Sequence, residues 1–185
     1  VRTGIVEVLN VKIFGKNGVG KRGAFTLVEL LTVVVLLGVI MAVVLPHAGY
    51  SDGEKALMAA KKIAADIEYA QGEAVNRQSS IAVSFSTTAE TYSLASSGIL
   101  LTNPLSGSSF TVNLPADLRA TGVDINSVNF GSGENVVTFN AFGEPVKTDG
   151  TPISSDSGVV IRCGDSIYTV TVTPVTGRTL VIPGS

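Results

Sequence analysis

The chain has no tryptophan, one cysteine and one histidine among 185 residues, and only 15% of its side chains are charged. Each shortage closes off a class of chemistry. A single cysteine, Cys163, rules out an intramolecular disulfide, so the fold is held by packing and the expected state of Cys163 is a buried thiol. Any Ser-His-Asp or Cys-His arrangement has to be built around His47, and a His/Cys zinc site runs out of ligands. His47 follows Pro46 just past a long apolar run, a position that suits an interfacial residue better than a general base. Basic residues are short as well. From Pro46 onward eight Lys and Arg face thirteen Asp and Glu, a formal net charge of −5, whereas a general nucleic-acid binder carries a basic stripe. No enzymatic activity, cofactor or metal is expected.

What the chain does have is a long apolar run. From Phe25 to Leu45 there are 21 residues with one charge, Glu29. As a helix rising ~1.5 Å per residue the run reaches roughly 31 Å, about one bilayer core. Lys12, Lys16, Lys21 and Arg22 precede it, so the positive-inside rule keeps the N-terminus in the cytoplasm and exports the remainder. A carboxylate one turn into such a span costs on the order of 2.5–3.5 kcal/mol unless a cation pairs with it. No Lys, Arg or His occurs between Phe25 and Leu45. The partner is therefore an α-amino group or another chain. A cut just before Phe25 would create an amine four residues from Glu29, within about 40° of its helix face.

The leader, residues 1–24, contains a false lead. Gly15-Lys16-Asn17-Gly18-Val19-Gly20-Lys21-Arg22 follows a strand-like run, Val8 to Phe14, and fits the first seven positions of a phosphate-binding P-loop. Arg22 then stands where a Ser or Thr hydroxyl should hold magnesium, and the next helix is a membrane span, so the segment reads as a basic leader.

Beyond the run, Pro46, Gly49 and Gly53 predict a kink or short break. Ser51 with Glu54 reads as a capping box that restarts helix. Leu57, Ala60, Ile63, Ala64, Ile67, Ala70 and Ala74 recur at helical spacing, with Lys61, Lys62, Asp66, Glu68, Glu73 and Arg77 on other faces, which predicts an amphipathic helix to about Gln78. Glu73 and Arg77 offer an exposed i,i+4 pair. The rest is rich in Ser, Thr, Val and Gly and predicts short strands over Ile81–Ser86, Thr91–Ala95, Phe110–Leu114, Val136–Asn140, Gly158–Cys163, Ile167–Thr173 and Arg178–Ile182. Ser96–Asn129 shows the weakest pattern and is expected to hold a variable loop. Asp149 and Asp156 flank a Gly/Pro/Ser loop where calcium is conceivable, although the spacing is not that of an EF-hand and a solvated turn is the simpler expectation.

The basic leader, a small residue, then Phe25-Thr26-Leu27-Val28-Glu29 and an apolar helix resemble the class III signal sequence of type IV pilins and type II secretion pseudopilins. Ala70-Gln71-Gly72-Glu73-Ala74-Val75-Asn76-Arg77 running into strand Ile81–Phe85, the Phe139-Asn140-Ala141-Phe142-Gly143 hairpin and the Thr176-Gly177-Arg178 turn resemble the GspH/FimT-type minor pseudopilins. The resemblance implies an α+β fold: one long N-terminal helix, transmembrane in its first half and amphipathic in its second, packed on a C-terminal antiparallel β-sandwich-like domain. The divisions implied are a cleaved leader (1–24), an assembly helix (25–45), its amphipathic continuation (46–78) and a β-rich globular domain (79–185). It also implies a prepilin peptidase that removes the leader and methylates the new N-terminus, and a glutamate, here Glu29, that pairs with a neighbour's amine in the filament. The implied partners are other pseudopilins or pilins and an inner-membrane assembly platform. The implied location is the bacterial inner membrane, single-pass, with the globular domain on the exported side.

The family usually has Gly directly before Phe, whereas this chain has Gly23-Ala24-Phe25, so two cuts are open. Cleavage after Ala24 places Glu29 at the family position; cleavage after Gly23 turns it ~100° away on the helix. Alanine is small enough for a glycine site, which favours the first. The leading functional expectation is a structural minor subunit of a type II secretion pseudopilus or type IV pilus. The alternative is a minor pilin that binds DNA for uptake, for which the stretch from Thr173 offers only Arg178. Coexpression with a prepilin peptidase should give an intact mass and N-terminal sequence beginning at methylated Phe25. An uncut chain, or one cut after Leu45, contradicts this.

Overall fold

The computed structural model describes residues 25–44, 50–155 and 157–184. The chain divides into two units, Val1–Ala48 and Gly49–Ser185. In the first, α1 runs over Leu27–Val44. Its 18 residues span about 27 Å, short of the ~30 Å hydrocarbon core. Among the described residues no helix is long and apolar enough to cross a membrane. The last residue of the expected span, Leu45, lies outside the described residues.

The second unit begins with α2, Asp52–Arg77. Its start is the expected capping box: the Glu54 amide donates to Ser51 Oγ at 3.3 Å, and the Ser51 amide donates to Glu54 Oε2 at 2.9 Å. Two orphan donors are thereby satisfied, worth about 1 kcal/mol. At the other end Gln78 adopts a left-handed conformation (φ 53°) and its amide returns to the carbonyls of Ala74 and Val75, closing the helix.

Among the described residues ten strands and one short helix follow. β1 (Ile81–Ser86), β2 (Thr91–Ser96), β3 (Ile99–Leu100), β4 (Thr111–Asn113), β6 (Val136–Phe139) and β7 (Pro145–Val146) form one sheet in the order β3-β2-β1-β6-β7, with β4 also on β2. β5 (Val123–Asn129), β8 (Gly158–Cys163), β9 (Ser166–Val172) and β10 (Thr179–Pro183) form a second sheet in the order β10-β9-β8-β5. All described pairings are antiparallel. The expected α+β architecture, a helix packed on antiparallel sheets, is what forms. α2 touches β1 and β6 of the first sheet and β5, β8, β9 and β10 of the second.

Three expectations need correction. Ser96–Asn129 is more ordered than expected: besides the expected strand at β4 and a turn over residues 103–108, it holds β3, the helix α3 (Leu114–Asp117) and β5. β5 escaped notice because Ile125 pairs with Ile161 and Ser127 with Val160, leaving Asn126 as a bulge. Val123 and Ile125 point inward two apart, but Val128 follows three later, so the period of two is broken. On α2, Leu57 is only half-buried while Ala56 and Ala59 are fully buried.

The third concerns Asp66, expected on a solvent face and instead 7% exposed. Its carboxylate accepts from Lys62 Nζ at 2.6 and 2.7 Å and from Tyr92 Oη at 2.5 Å. Burial pushes the Tyr92 phenol well up, and the Asp66 charge beside it pushes the same way, so the hydroxyl stays a donor. Lys62 also lies 6.0 Å from the Phe110 ring, which stacks on Tyr69. Replacing Asp66 by Ala should cost about 2–3 kcal/mol, because the Tyr92 hydroxyl is left buried without an acceptor, and Tyr92→Phe about 1–2 kcal/mol. Urea titration of the detergent-solubilised chain checks this order; an Asp66→Ala protein as stable as the parent contradicts it.

Candidate assembly surfaces

α1 is apolar on every side, and its described side chains all face outward: Phe25, Leu27 and Val28 are 78%, 81% and 68% exposed. A helix apolar all round requires an apolar environment, whether lipid or other helices. Its polar atoms are otherwise settled locally. Thr32 Oγ1 donates to the Val28 carbonyl at 2.6 Å, folding its hydroxyl back on the helix. Thr26 caps the N-terminus: its Oγ1 accepts from the Glu29 amide at 3.2 Å. Thr26 went unremarked in the sequence, although Thr-x-x-Glu is a capping signature. The cap places the Glu29 carboxylate in the first turn, at the positive end of the helix dipole, where it remains exposed. Among the described residues no ion pair reaches it.

Of the residues expected to matter, Gly23, Ala24, the P-loop-like Gly15–Arg22 segment, His47 and Asp156 lie outside the described residues. Asp149 is engaged in its own turn: its Oδ1 accepts from the Thr151 hydroxyl at 2.6 Å and amide at 2.8 Å, and these bonds lower its carboxyl pKa. Among the described residues no group of three His, Cys, Asp or Glu side chains comes together. Cys163 is buried, as expected, and burial raises its thiol pKa. Arg178 is exposed just before β10. Arg77 and Glu73 form the expected i,i+4 pair.

The hairpin and the closing turn picked out in the sequence are brought together by Gln71, which sequence reasoning placed within the Ala70–Arg77 motif without assigning it a contact. Gln71 Nε2 donates to the carbonyls of Gly143 and Thr176, both at 2.8 Å, so α2 ties the β6–β7 turn to the β9–β10 turn. Within the first turn, Asn140 Oδ1 accepts from the amides of Phe142 (2.9 Å) and Glu144 (3.0 Å), and Asn140 Nδ2 donates to Glu144 Oε2 at 2.8 Å. In the second, the Thr176 amide donates to the Pro174 carbonyl at 2.7 Å and the Gly177 amide to the Thr173 carbonyl at 2.9 Å. Gly177 has φ 66°, and a Cβ there would lie 2.5 Å from Gln71 Nε2, so this contact requires glycine. A glutamine on a helix carries no signal of such contacts, because both partners are backbone carbonyls far along the chain.

Residues 59–177 match the family model described as Type II transport protein GspH, and residues 20–45 match the Prokaryotic N-terminal methylation motif. No curated protein matches the chain significantly. Among solved structures, it is similar to the minor pseudopilin EpsH from the Type 2 Secretion System of Vibrio cholerae, at 13% identity over 70% of this chain and 97% of that one, with a TM-score of 0.48. It is also similar to the type IV minor pilin FimU of Pseudomonas aeruginosa, at 18% identity over 70% of this chain and 88% of that one, with a TM-score of 0.45. With more than half of its length matching one family model and the methylation motif lying ahead of it, the chain belongs to the GspH family of type II transport proteins, membrane-anchored and exported subunits of the pilin type.

Proposed function

We propose that the chain is a structural minor pseudopilin, built into a type II secretion pseudopilus or type IV pilus-like filament that supports protein secretion. The observation that carries this is Glu29: a carboxylate in the first turn of a helix apolar on every side, with no cation to meet it among the described residues of that helix. An unpaired carboxylate in hydrocarbon costs on the order of 2.5–3.5 kcal/mol. Pairing with a neighbour's α-amine removes that cost only when two subunits lie side by side, so the charge turns a stored monomer into one that favours assembly.

The remaining parts serve the same step. Prepilin peptidase cleaves between Ala24 and Phe25 and methylates the new amine, which Gly23 and Ala24 are small enough to allow. Thr26 caps the first turn and holds Glu29 beside that terminus. The inner-membrane platform then receives the subunit, with α1 providing the lateral contact and the α2–β unit carried on the exported side. Nothing in this sequence of events asks the exported unit for bond-making chemistry; its work is recognition and shape.

Replacing Glu29 by Ala should leave the chain folded and membrane-bound while lowering its recovery in sheared filaments by about tenfold or more, the equivalent of ~1.4 kcal/mol of lost preference per subunit. Immunoblotting of filament and membrane fractions measures the ratio. Equal incorporation of Glu29→Ala and the parent would remove the charge-pairing step.

A further inference from the structure

The two turns tied by Gln71 present an apolar surface that the fold itself does not use. Phe142 is 86% exposed, Val175 66% and Val75, one helical turn beyond Gln71, 42%. Val75 lies against the Gly143 turn, 3.0 Å from where a Cβ on Gly143 would stand. Neither turn is loose. Phe142 sits inside the Asn140–Glu144 hydrogen-bond set, and Val175 is the centre of a γ-turn closed by the Thr176 amide on the Pro174 carbonyl at 2.7 Å.

Val175 has φ 68°, a conformation that a β-branched residue rarely adopts and that glycine would occupy without strain. The chain therefore holds a valine where backbone energetics favour glycine, and its side chain goes to water. A small hollow beside it is lined by Pro145, Val146, Pro152 and Val175 itself, with Glu144 the one charged residue of its lining. Packing within the subunit explains neither the exposed phenyl group nor the strained valine. Recognition explains both, because a rigid, pre-formed apolar knob loses little entropy on docking.

The area identifies the kind of partner. Covering Phe142, Val175 and Val75 removes roughly 300 Å² from water, against about 800 Å² per partner in a stable standard interface. Alone, such a contact does not hold two free proteins together. It becomes effective when the partner is already held alongside by another link, which raises the local concentration. In a filament that link is the apolar helix each subunit carries. We propose that the Val75–Phe142–Val175 surface is a second docking point, engaged by an apolar patch on the exported unit of a neighbouring pilin-type subunit. This rests on the filament reading above.

The test places benzoyl-phenylalanine at position 142 of the full chain, in cells with the complete filament system, and identifies photo-crosslinked products by mass spectrometry. The expected product is a crosslink to a protein with its own N-terminal methylation motif, reduced about fivefold or more in Gln71→Ala and in Val175→Gly. Val175→Gly should at the same time keep or raise the thermal midpoint, since it relieves the backbone, a combination that a merely structural role for Val175 does not give. Glu29→Ala should lower the crosslink in step with incorporation, about tenfold or more. The proposal is overturned if position 142 gives no crosslink in filaments that do contain the chain, or only crosslinks to a protein without that motif. It is also overturned if the product persists undiminished when Glu29→Ala keeps the chain out of filaments. If Glu29→Ala instead enters filaments normally and the crosslink to a pilin-type subunit forms, the charge-pairing step fails and the docking surface stands.

Discussion

The packing of the second unit depends on one face of α2 lying against two sheets at once. Ala56, Ala59, Ala60, Ala70 and Ala74, with Ile63 and Ile67, are fully buried, and alanine lets a helix backbone approach a sheet closely enough for both sheets to reach it. The described strand pairings join each sheet only within itself, so the two sheets meet chiefly on α2, with the short α3 touching β4 of one and β5 of the other. The same contact sets the polar anchors. Asp66 receives Tyr92 from the first sheet, Thr179 Oγ1 of the second donates to Glu68 Oε1 at 2.5 Å, and Gln71 takes one carbonyl from each side. A residue lost from this face disturbs both sheets.

A second bridge guards the edge of the smaller sheet. β5 is an edge strand, and the Ile125 amide on it donates to the Glu90 carboxylate, which comes from the turn between β1 and β2. Glu90 has φ 53° in that turn. A carboxylate on an edge amide blocks strand addition there, which matters in a chain whose working life is spent at high local concentration beside other subunits. Association is thereby steered to side chains and away from indiscriminate edge pairing.

α1 obeys the opposite logic. It has no polar face and none of its described side chains is buried, so its stability comes from what surrounds it. The second unit, by contrast, is complete in itself. The buried thiol, the satisfied Asp66–Tyr92–Lys62 set and the capped α2 make it so.

The sequence by itself determined whatever is local: the apolar run with its single carboxylate, the Ser51–Glu54 cap, the Glu73–Arg77 pair and the strands whose side chains alternate cleanly, such as Ile81–Ser86 and Thr91–Ala95. These rest on contacts within four residues or on a simple period, so they are written where they occur. Tertiary structure decided the rest. Asp66 reads as a solvent residue until Tyr92, 26 positions away, supplies a donor, and Gln71 is unremarkable until turns 72 and 105 positions away bring their carbonyls to it. β5 is hidden because one bulged residue shifts its inward side chains out of register. In each case the deciding energy comes from groups far apart in the chain, whose meeting no local pattern encodes.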